Sequence, residues 1–487
     1  MKELLISLDV SAKTALYEQI YEYIREEIMG GRLSKGERLP SARLLAANLQ
    51  VSRSTIDAAY AQLVSEGYLM AKRGSGYYVC DISSLYDFTE NRRNRDKYGT
   101  KKPQNAVSAY SPQSRRTDSS GRERPEISFL PGQTDELWFP YNAWRKSAKE
   151  ALLDLEARHS LLQAGDPKGE YSLRRAIAAY LHHARGVQCE PEQMIIGAGN
   201  EYLLQILGQI IGRRLRAAME SPAYLQAYYT FRSIGYEVEA VPMDENGMCV
   251  EAVTDVSLVY VMPSHQFPLG LVMPLKRRLE LLAWAAAGEG RYIIEDDHDS
   301  EFRYKGRPIP SLQGMDREGK VIYLGTFSNS IMPSIRISYM VLPPELLAAY
   351  HEKCGFYAST VSKIQQMTVC RFIEDGCFER HLNKMRGIYK AKHDCLLQLL
   401  KKKKWVRRIY GDYAGLHVAA ELNCSCTEED IIEKAASCGL LVQGMSGCYL
   451  AGGKKPDAGP VLLLGFGNLT KEQICAGAAI LEKCIET

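Results

Sequence analysis

Apolar residues in the first eighty positions recur at helical spacing. Between Leu16 and Met29, the positions Leu16, Ile20, Tyr23, Ile24 and Ile28 fall on one face, and Gly30 with Gly31 ends the helix. A second helix is predicted from Ser41 to Leu49, with Ser41 as N-cap after Pro40. A third runs from Arg53 to Glu66, capped by Ser52 and stopped by Gly67. The run YLMAKRGSGYYVC then gives two short strands around Arg73, Gly74, Ser75 and Gly76, which is hairpin chemistry. Three short helices and a hairpin make a winged helix-turn-helix over residues 1–80.

The pattern changes from Ile127 onward. Continuous apolar runs, MIIGAG (194–199), VSLVYVMP (256–263), RYIIEDD (291–297) and VIYLGTF (321–327), alternate with amphipathic helices such as Tyr171 to Ala184 and Lys276 to Ala287. That alternation predicts an α/β domain over residues 126–487 with a mostly parallel sheet. From about Lys363 a long helix and a smaller α+β lobe are expected, with strands in GLHVAAEL and PVLLLGF and helices at 427–438 and 470–485. Lys401 to Lys404 reads as a solvated helix end.

Composition adds three constraints. With 61 Lys+Arg against 58 Asp+Glu, the net charge of +3 is too small to make the whole chain a polyanion binder. The charge is uneven, however: between Asn91 and Arg124 ten Lys/Arg face three acids, so residues 81–125 read as a basic flexible linker beside the winged helix. The thirteen cysteines are irregularly spaced, and the one close pair, Cys424 and Cys426, has no further ligands to complete a metal site. Reduced thiols and a cytoplasmic, non-membrane protein are therefore expected, since no apolar run has the length of a membrane span.

In a helix-turn-helix the N-terminus of the second helix of the motif enters the major groove, so Ser52, Arg53, Ser54 and Thr55 are candidate DNA contacts. The segment LPSARLLAANLQVSRST together with GSGYYV resembles the winged-helix domain of GntR-type transcription factors. The resemblance implies a double-stranded operator, with Arg43 near phosphate and the wing Arg73, Gly74, Ser75 and Gly76 in the adjoining minor groove. Asp57 stands where several relatives carry a base-contacting basic residue, so no base preference is implied there.

The motifs DPKGEYSLRRAIAAYL, GAGNEYLLQIL, ESPAYLQAYY, PSHQFPLG, IIEDDHDSEFRY and LGTFSNSIMPSIRISYMVLP, in that order, resemble the fold-type-I aminotransferase domain. Behind a GntR-type winged helix, this marks the MocR subfamily. From the residues themselves, Ala198, Gly199 and Asn200 end a strand and open a helix, where backbone N–H groups suit a phosphate. The resemblance implies pyridoxal 5'-phosphate, with Tyr224 stacking on its ring, Asp296 pairing the pyridinium nitrogen, and Thr326, Ser328 and Arg336 holding the phosphate. His298 stands where relatives have a tyrosine that bonds the ring's phenolic oxygen. Asn329 occupies the position of the Schiff-base lysine. An amide is no amine nucleophile, so cofactor binding is expected to be non-covalent and efficient transamination is not expected. Leu463 stands where the family often has its carboxylate-binding arginine.

Three readings follow. The chain is a transcriptional regulator sensing the vitamer or its adduct with a small amine or amino-acid effector, an aminotransferase, or a cofactor-free dimerisation scaffold on a DNA-binding domain. The resemblance also implies a homodimer, with the winged helix of one chain against the large domain of the other.

Overall fold

The computed structural model describes residues 6, 15–30, 32–72, 76–80, 127–304, 310–453 and 459–486. The basic segment 81–125 and the wing residues Arg73, Gly74 and Ser75 lie outside them.

Helices α1 (Leu16–Met29), α2 (Ala42–Leu49) and α3 (Arg53–Ser65) pack around Ile20, Ile24, Leu45, Ile56 and Leu63, all fully buried. The Ser41 hydroxyl accepts from the Leu44 N–H at 3.2 Å and the Ser52 hydroxyl from the Thr55 N–H at 3.2 Å, so both helices begin where a side chain satisfies an orphan donor. Strands β1 (Leu69–Lys72) and β2 (Gly76–Val79) pair antiparallel to form the wing.

The larger unit begins with β3 (Ile127–Ser128), α4 (Tyr141–Ala157) and α5 (Tyr171–Arg185). Its main sheet alternates with helices: β4 (Met194–Gly197), α6 (Asn200–Ile211), β5 (Arg216–Ser221), α7 (Leu225–Ser233), β6 (Glu237–Asp244), β7 (Gly247–Met248), β8 (Leu258–Val261), α8 (Leu275–Ala286), β9 (Tyr292–Asp297), β10 (Val321–Thr326) and β11 (Ser338–Val341). The eight strands lie in the order β4-β11-β10-β9-β8-β5-β6-β7. Strands β10, β9, β8, β5 and β6 are mutually parallel, whereas β11 runs antiparallel to both β10 and β4. The carboxyl ends of β4, β5, β8, β9 and β10 therefore share one rim, the edge where open α/β sheets bind ligands.

Helices α9 (Pro344–Lys353), α10 (Lys363–Glu374) and α11 (Cys377–Leu400) lead to the small lobe. The single long helix expected from Lys363 is instead two, because Gly376 adopts φ +66°, a left-handed conformation that ends α10 and opens α11. The lobe contains β12 (Val406–Tyr410), β13 (His417–Leu422), α12 (Glu428–Ser437), β14 (Leu440–Leu441), β15 (Gln443–Gly444), β16 (Val461–Gly465) and α13 (Lys471–Glu486). Its sheet, β12-β13-β16-β15, is antiparallel throughout. Pairing of β14 with β3 ties the lobe to the start of the large unit.

The winged helix docks on the large unit. The Leu275 N–H at the start of α8 donates to the Glu66 carbonyl at 3.0 Å, and apolar packing runs on from the winged-helix core to Met273, Leu275 and Leu279. A Cβ on Gly67 would meet the Leu275 nitrogen at 3.3 Å, so the absent side chain and the φ of +80° both suit glycine at this approach.

Candidate functional site

The sheet rim brings three strand ends together. Gly197 pairs with Ser338 and Ser338 with Thr326, so β4, β11 and β10 present their ends side by side. Around them, Ser338 Oγ donates to Thr326 Oγ1 at 3.0 Å, Thr326 Oγ1 and Ser328 Oγ are 3.0 Å apart, and the Ser328 N–H donates to Thr326 Oγ1 at 3.2 Å. Next to this hydroxyl cluster, α6 opens at Asn200 after Gly199 at φ +101°. A Cβ on Gly199 would lie 2.2 Å from Arg336 Nη2, so only glycine lets that guanidinium lie over the helix N-terminus. Arg336 pairs with Glu201 at 2.8 Å and is half-exposed, which leaves its fork open to an anion. Its own φ of +50° is a strained conformation for a residue with a side chain.

Asp296, the penultimate residue of β9, is buried at 2% exposure. Asn200 Nδ2 donates to its Oδ2 at 3.1 Å, and the Tyr260 hydroxyl donates to the same oxygen. Burial raises the Asp296 pKa, against the opposing pull of those two bonds. A cationic ring N–H facing the carboxylate would offset that cost, the complementarity a pyridinium offers. Asn200 Oδ1 is buried without a hydrogen-bond partner among the described residues. The neighbouring Asp297 has a different partner: Arg185 Nε reaches its Oδ2 at 2.6 Å and Arg185 Nη2 its Oδ1 at 3.1 Å.

Tyr224 and His298 have ring centroids 6.5 Å apart and planes 23° from parallel, and Phe267 stands edge-on to both. Asn329 Nδ2 donates to Asp299 Oδ1 and lies 3.2 Å from His298 Nδ1. Asp299 is 4% exposed with φ +57°. The amide thus sits among a carboxylate and an imidazole at the mouth of the rim. Leu463 is fully buried on β16 among Ala419, Met445, Cys448 and Val461, an apolar face.

The large-domain candidates Ala198, Gly199, Asn200, Tyr224, Asp296, His298, Thr326, Ser328 and Arg336 all lie on this rim. A phosphate fits the hydroxyls, the guanidinium and the N-terminus of α6, and a protonated pyridine fits Asp296. The sequence reading missed Ser338, Tyr260, Asp299 and Thr360, whose hydroxyl accepts from the Ala198 N–H at 3.1 Å. Asp299 carried a signal, as the fourth acid of EDDHD counted from Glu295. Thr360 carried none, since only the tertiary fold brings it to Ala198.

In the winged helix, Arg43, Ser52, Arg53 and Ser54 are exposed and Thr55 is half-buried. The Ser52 hydroxyl contacts Ser54 Oγ and Thr55 Oγ1, each at 2.7 Å, in addition to capping α3. Arg53 pairs with Asp57 at 3.4 Å, one turn along the helix. Gly76 lies against Arg38, whose Nε would be 3.3 Å from a Cβ there. Arg38, exposed beside the wing, is a basic residue that the sequence reading did not single out.

Comparison with known proteins agrees with both halves. Residues 16–79 match the family of bacterial regulatory proteins, gntR family, and residues 132–453 match aminotransferase class I and II. The chain is 38% identical to the uncharacterized HTH-type transcriptional regulator YdeL of Bacillus subtilis, over 95% of each chain. It is 32% identical to the probable rhizopine catabolism regulatory protein MocR of Rhizobium meliloti, covering 89% of this chain and 86% of that one. With the pyridoxine biosynthesis regulator PdxR of Corynebacterium glutamicum the identity is 31%, over 96% and 95%. An archaeal alanine:glyoxylate aminotransferase superposes with a TM-score of 0.67 at 25% identity, covering 75% of this chain and 91% of that one. With a gntR-type winged helix ahead of an aminotransferase-type rim, and with relatives matched over most of both chains, the chain belongs to the MocR subfamily of GntR-type transcriptional regulators.

Proposed function

We propose that this regulator binds pyridoxal 5'-phosphate without a covalent bond to the protein, and that the occupied rim, or the rim holding the vitamer's adduct with a small amine or amino acid, sets its affinity for an operator. The observation that carries the reading is Asn329 placed against Asp299 and His298 on a rim that keeps Asp296, Gly199 and Arg336. When bound, the vitamer supplies an electrophilic aldehyde and an electron-withdrawing ring. The chain's own residues hold it: Thr326, Ser328, Arg336 and the α6 N-terminus at the phosphate, Asp296 at the ring nitrogen, Tyr224 and His298 beside the ring. With an amide at position 329, the chain would hold the vitamer without an amine of its own to attach it.

The protein works in the cytoplasm as a homodimer. In the DNA-binding half, Arg53, Ser54 and Thr55 enter the major groove, Arg43 meets phosphate and the wing with Gly76 meets the minor groove, with Ser52 fixing the start of α3.

The test is titration of the purified chain with the vitamer, followed by borohydride and mass measurement, beside Asn329→Lys. We expect saturable binding by both proteins and a borohydride-fixed adduct only on the variant. A fixed adduct on the unmodified chain would restore the aminotransferase reading. Absence of binding by either protein would leave the large domain as a scaffold.

A further inference from the structure

The solvent side of the wing carries two cations that no carboxylate neutralises. The segment 36–39 runs antiparallel along β2. The Gly36 N–H donates to the Val79 carbonyl at 2.9 Å, the Val79 N–H to the Glu37 carbonyl at 3.0 Å and the Leu39 N–H to the Tyr77 carbonyl at 3.0 Å, which sets Arg38 opposite Tyr78. Within the hairpin Tyr78 faces Met70, and Gly76 faces Lys72. Side chains alternate across a sheet and paired residues share a side, so Arg38, Tyr78, Met70 and Lys72 lie on one face. Burial agrees: Leu39, Leu69 and Val79 on the other face are buried, whereas Arg38, Met70 and Lys72 are exposed. The face also orients its cations. Lys72 Nζ lies 4.9 Å from the centre of the Tyr78 ring. Arg38 crosses the bare backbone of Gly76, where a Cβ would lie 3.3 Å from Nε and 3.6 Å from Nη2. Among the described residues neither cation is paired with a carboxylate, and Glu37, next to Arg38 in the chain, accepts from the Ser34 N–H at 3.0 Å. Other guanidiniums of the winged helix are paired, Arg32 with Glu27 at 2.7 Å and Arg53 with Asp57 at 3.4 Å.

We propose that Arg38 and Lys72 form a phosphate-binding site on the face of the wing, each holding one backbone phosphate of the duplex that α3 enters. The site rests on the reading of the winged helix as the DNA-binding unit, and adds to it two contacts that are blind to sequence. The guanidinium offers a fork of N–H donors to the phosphate oxygens, and the ammonium offers a point charge. Contacts of this kind fix the register of the protein on the duplex and carry no base information, so they strengthen binding to every duplex alike. Each also releases counterions, and so contributes about 0.9 to the steepness of log affinity against log salt. Gly76 has a part in this beyond the turn of the hairpin: a side chain there would push the Arg38 guanidinium off the face.

The experiment titrates the full chain against a fluorescent mixed-sequence DNA duplex at salt concentrations from about 50 to about 200 mM. Arg38→Gln, Lys72→Gln, Arg38→Lys and, as a control, Lys401→Gln are measured beside it; Lys401 is exposed just past the end of α11. Each of the first two variants should bind more weakly, with a slope shallower by about 0.9, so that its deficit shrinks roughly 3-fold across the salt range. Arg38→Lys, which keeps the charge, and Lys401→Gln, which removes one elsewhere, should keep the slope of the unmodified chain. A residue that only braces the wing would weaken binding by the same factor at every salt concentration and leave the slope unchanged, and that result would overturn the proposal. So would a slope lowered equally by Lys401→Gln, since the effect would then belong to net charge. If the unmodified chain bound no duplex even at the lowest salt, the DNA-binding reading would fall and this site with it. That outcome is distinct from the others, in which the unmodified chain binds and the slopes decide. Arg38 and Lys72 are exposed, so the substitutions leave the core intact, and each single variant decides for its own residue.

Discussion

Asp296 and Asp297 are adjacent in sequence and both buried, yet only one of them is neutralised by the protein. Arg185 takes Asp297 in a two-pronged ion pair and donates to Ser264 Oγ at 2.6 Å, while Tyr323 donates to the same carboxylate. Among the described residues, the side-chain donors to Asp296 are the neutral Asn200 and Tyr260, so it is the carboxylate open to a cationic ligand. Removing Arg185 strands a buried charge: Arg185→Ala should lower stability by about 3–5 kcal/mol, checked by urea unfolding. Asp296→Asn should leave the unfolding midpoint nearly unchanged and abolish vitamer binding, checked by the same titration as above. The resemblance assigned the ring nitrogen to Asp296; that Arg185 neutralises Asp297 was not legible, because Arg185 is distant in the chain and meets it only in the fold. Asn329 was legible as a departure. The partners it finds, Asp299 and His298, became visible only when the turn after β9 was seen to fold back on the β10 loop.

At the scale of elements, most boundaries were legible because periodicity and capping residues coincide. Ser41 and Ser52 announced α2 and α3, and the apolar runs announced β4, β8, β9 and β10. Strand β5, RAAMES, escaped notice since Arg216 and Glu220 interrupt its apolar run, although Glu220 is only 4% exposed. The burial has a cost that depends on pH. Desolvation pushes the Glu220 carboxyl up to about 8, against weaker help from the Met262 and Met248 backbone and Gln266. Between the unfolded carboxyl pKa of about 4.3 and the folded value, the folded state holds one proton more than the unfolded state. Stability from this group is thus complete below the unfolded pKa and is lost as pH rises to about 8. The maximal slope is about 1.4 kcal/mol per pH unit. Glu220→Gln keeps the shape and carries no ionisable proton. Relative to this variant, the unmodified chain should lose stability from pH 5 to pH 8, and denaturant midpoints measured across that range on both proteins check it.

At the scale of the molecule, the rim and the recognition helix lie in one chain, but a palindromic operator needs two recognition helices. The large unit offers a surface for a second copy. Leu162 is 98% exposed, Leu137 78% and Phe356 76%, and Trp138 and Leu153 are exposed near them in sequence. Lys363 Nζ, seven residues beyond Phe356, donates to the carbonyl of Ser160, two residues before Leu162, at 3.2 Å. We take these large exposed apolar side chains as the candidate face for the second copy of the proposed homodimer. Periodicity in the sequence shows which residues share a face and not whether the fold covers it. Charge placed there should separate the copies of the proposed homodimer: the double variant Leu153→Asp with Leu162→Asp should sediment as a monomer and the unmodified chain as a dimer. Its folding should be intact, because Leu162 is 98% and Leu153 52% exposed in the single chain. Loss of the second recognition helix removes the avidity of paired half-sites, so affinity for a two-site duplex should fall roughly 100-fold. Affinity for a single half-site should stay the same. If both affinities fell together, the substitutions would be acting on the winged helix itself. If neither fell, the dimer would form through another face, leaving this patch to a different partner.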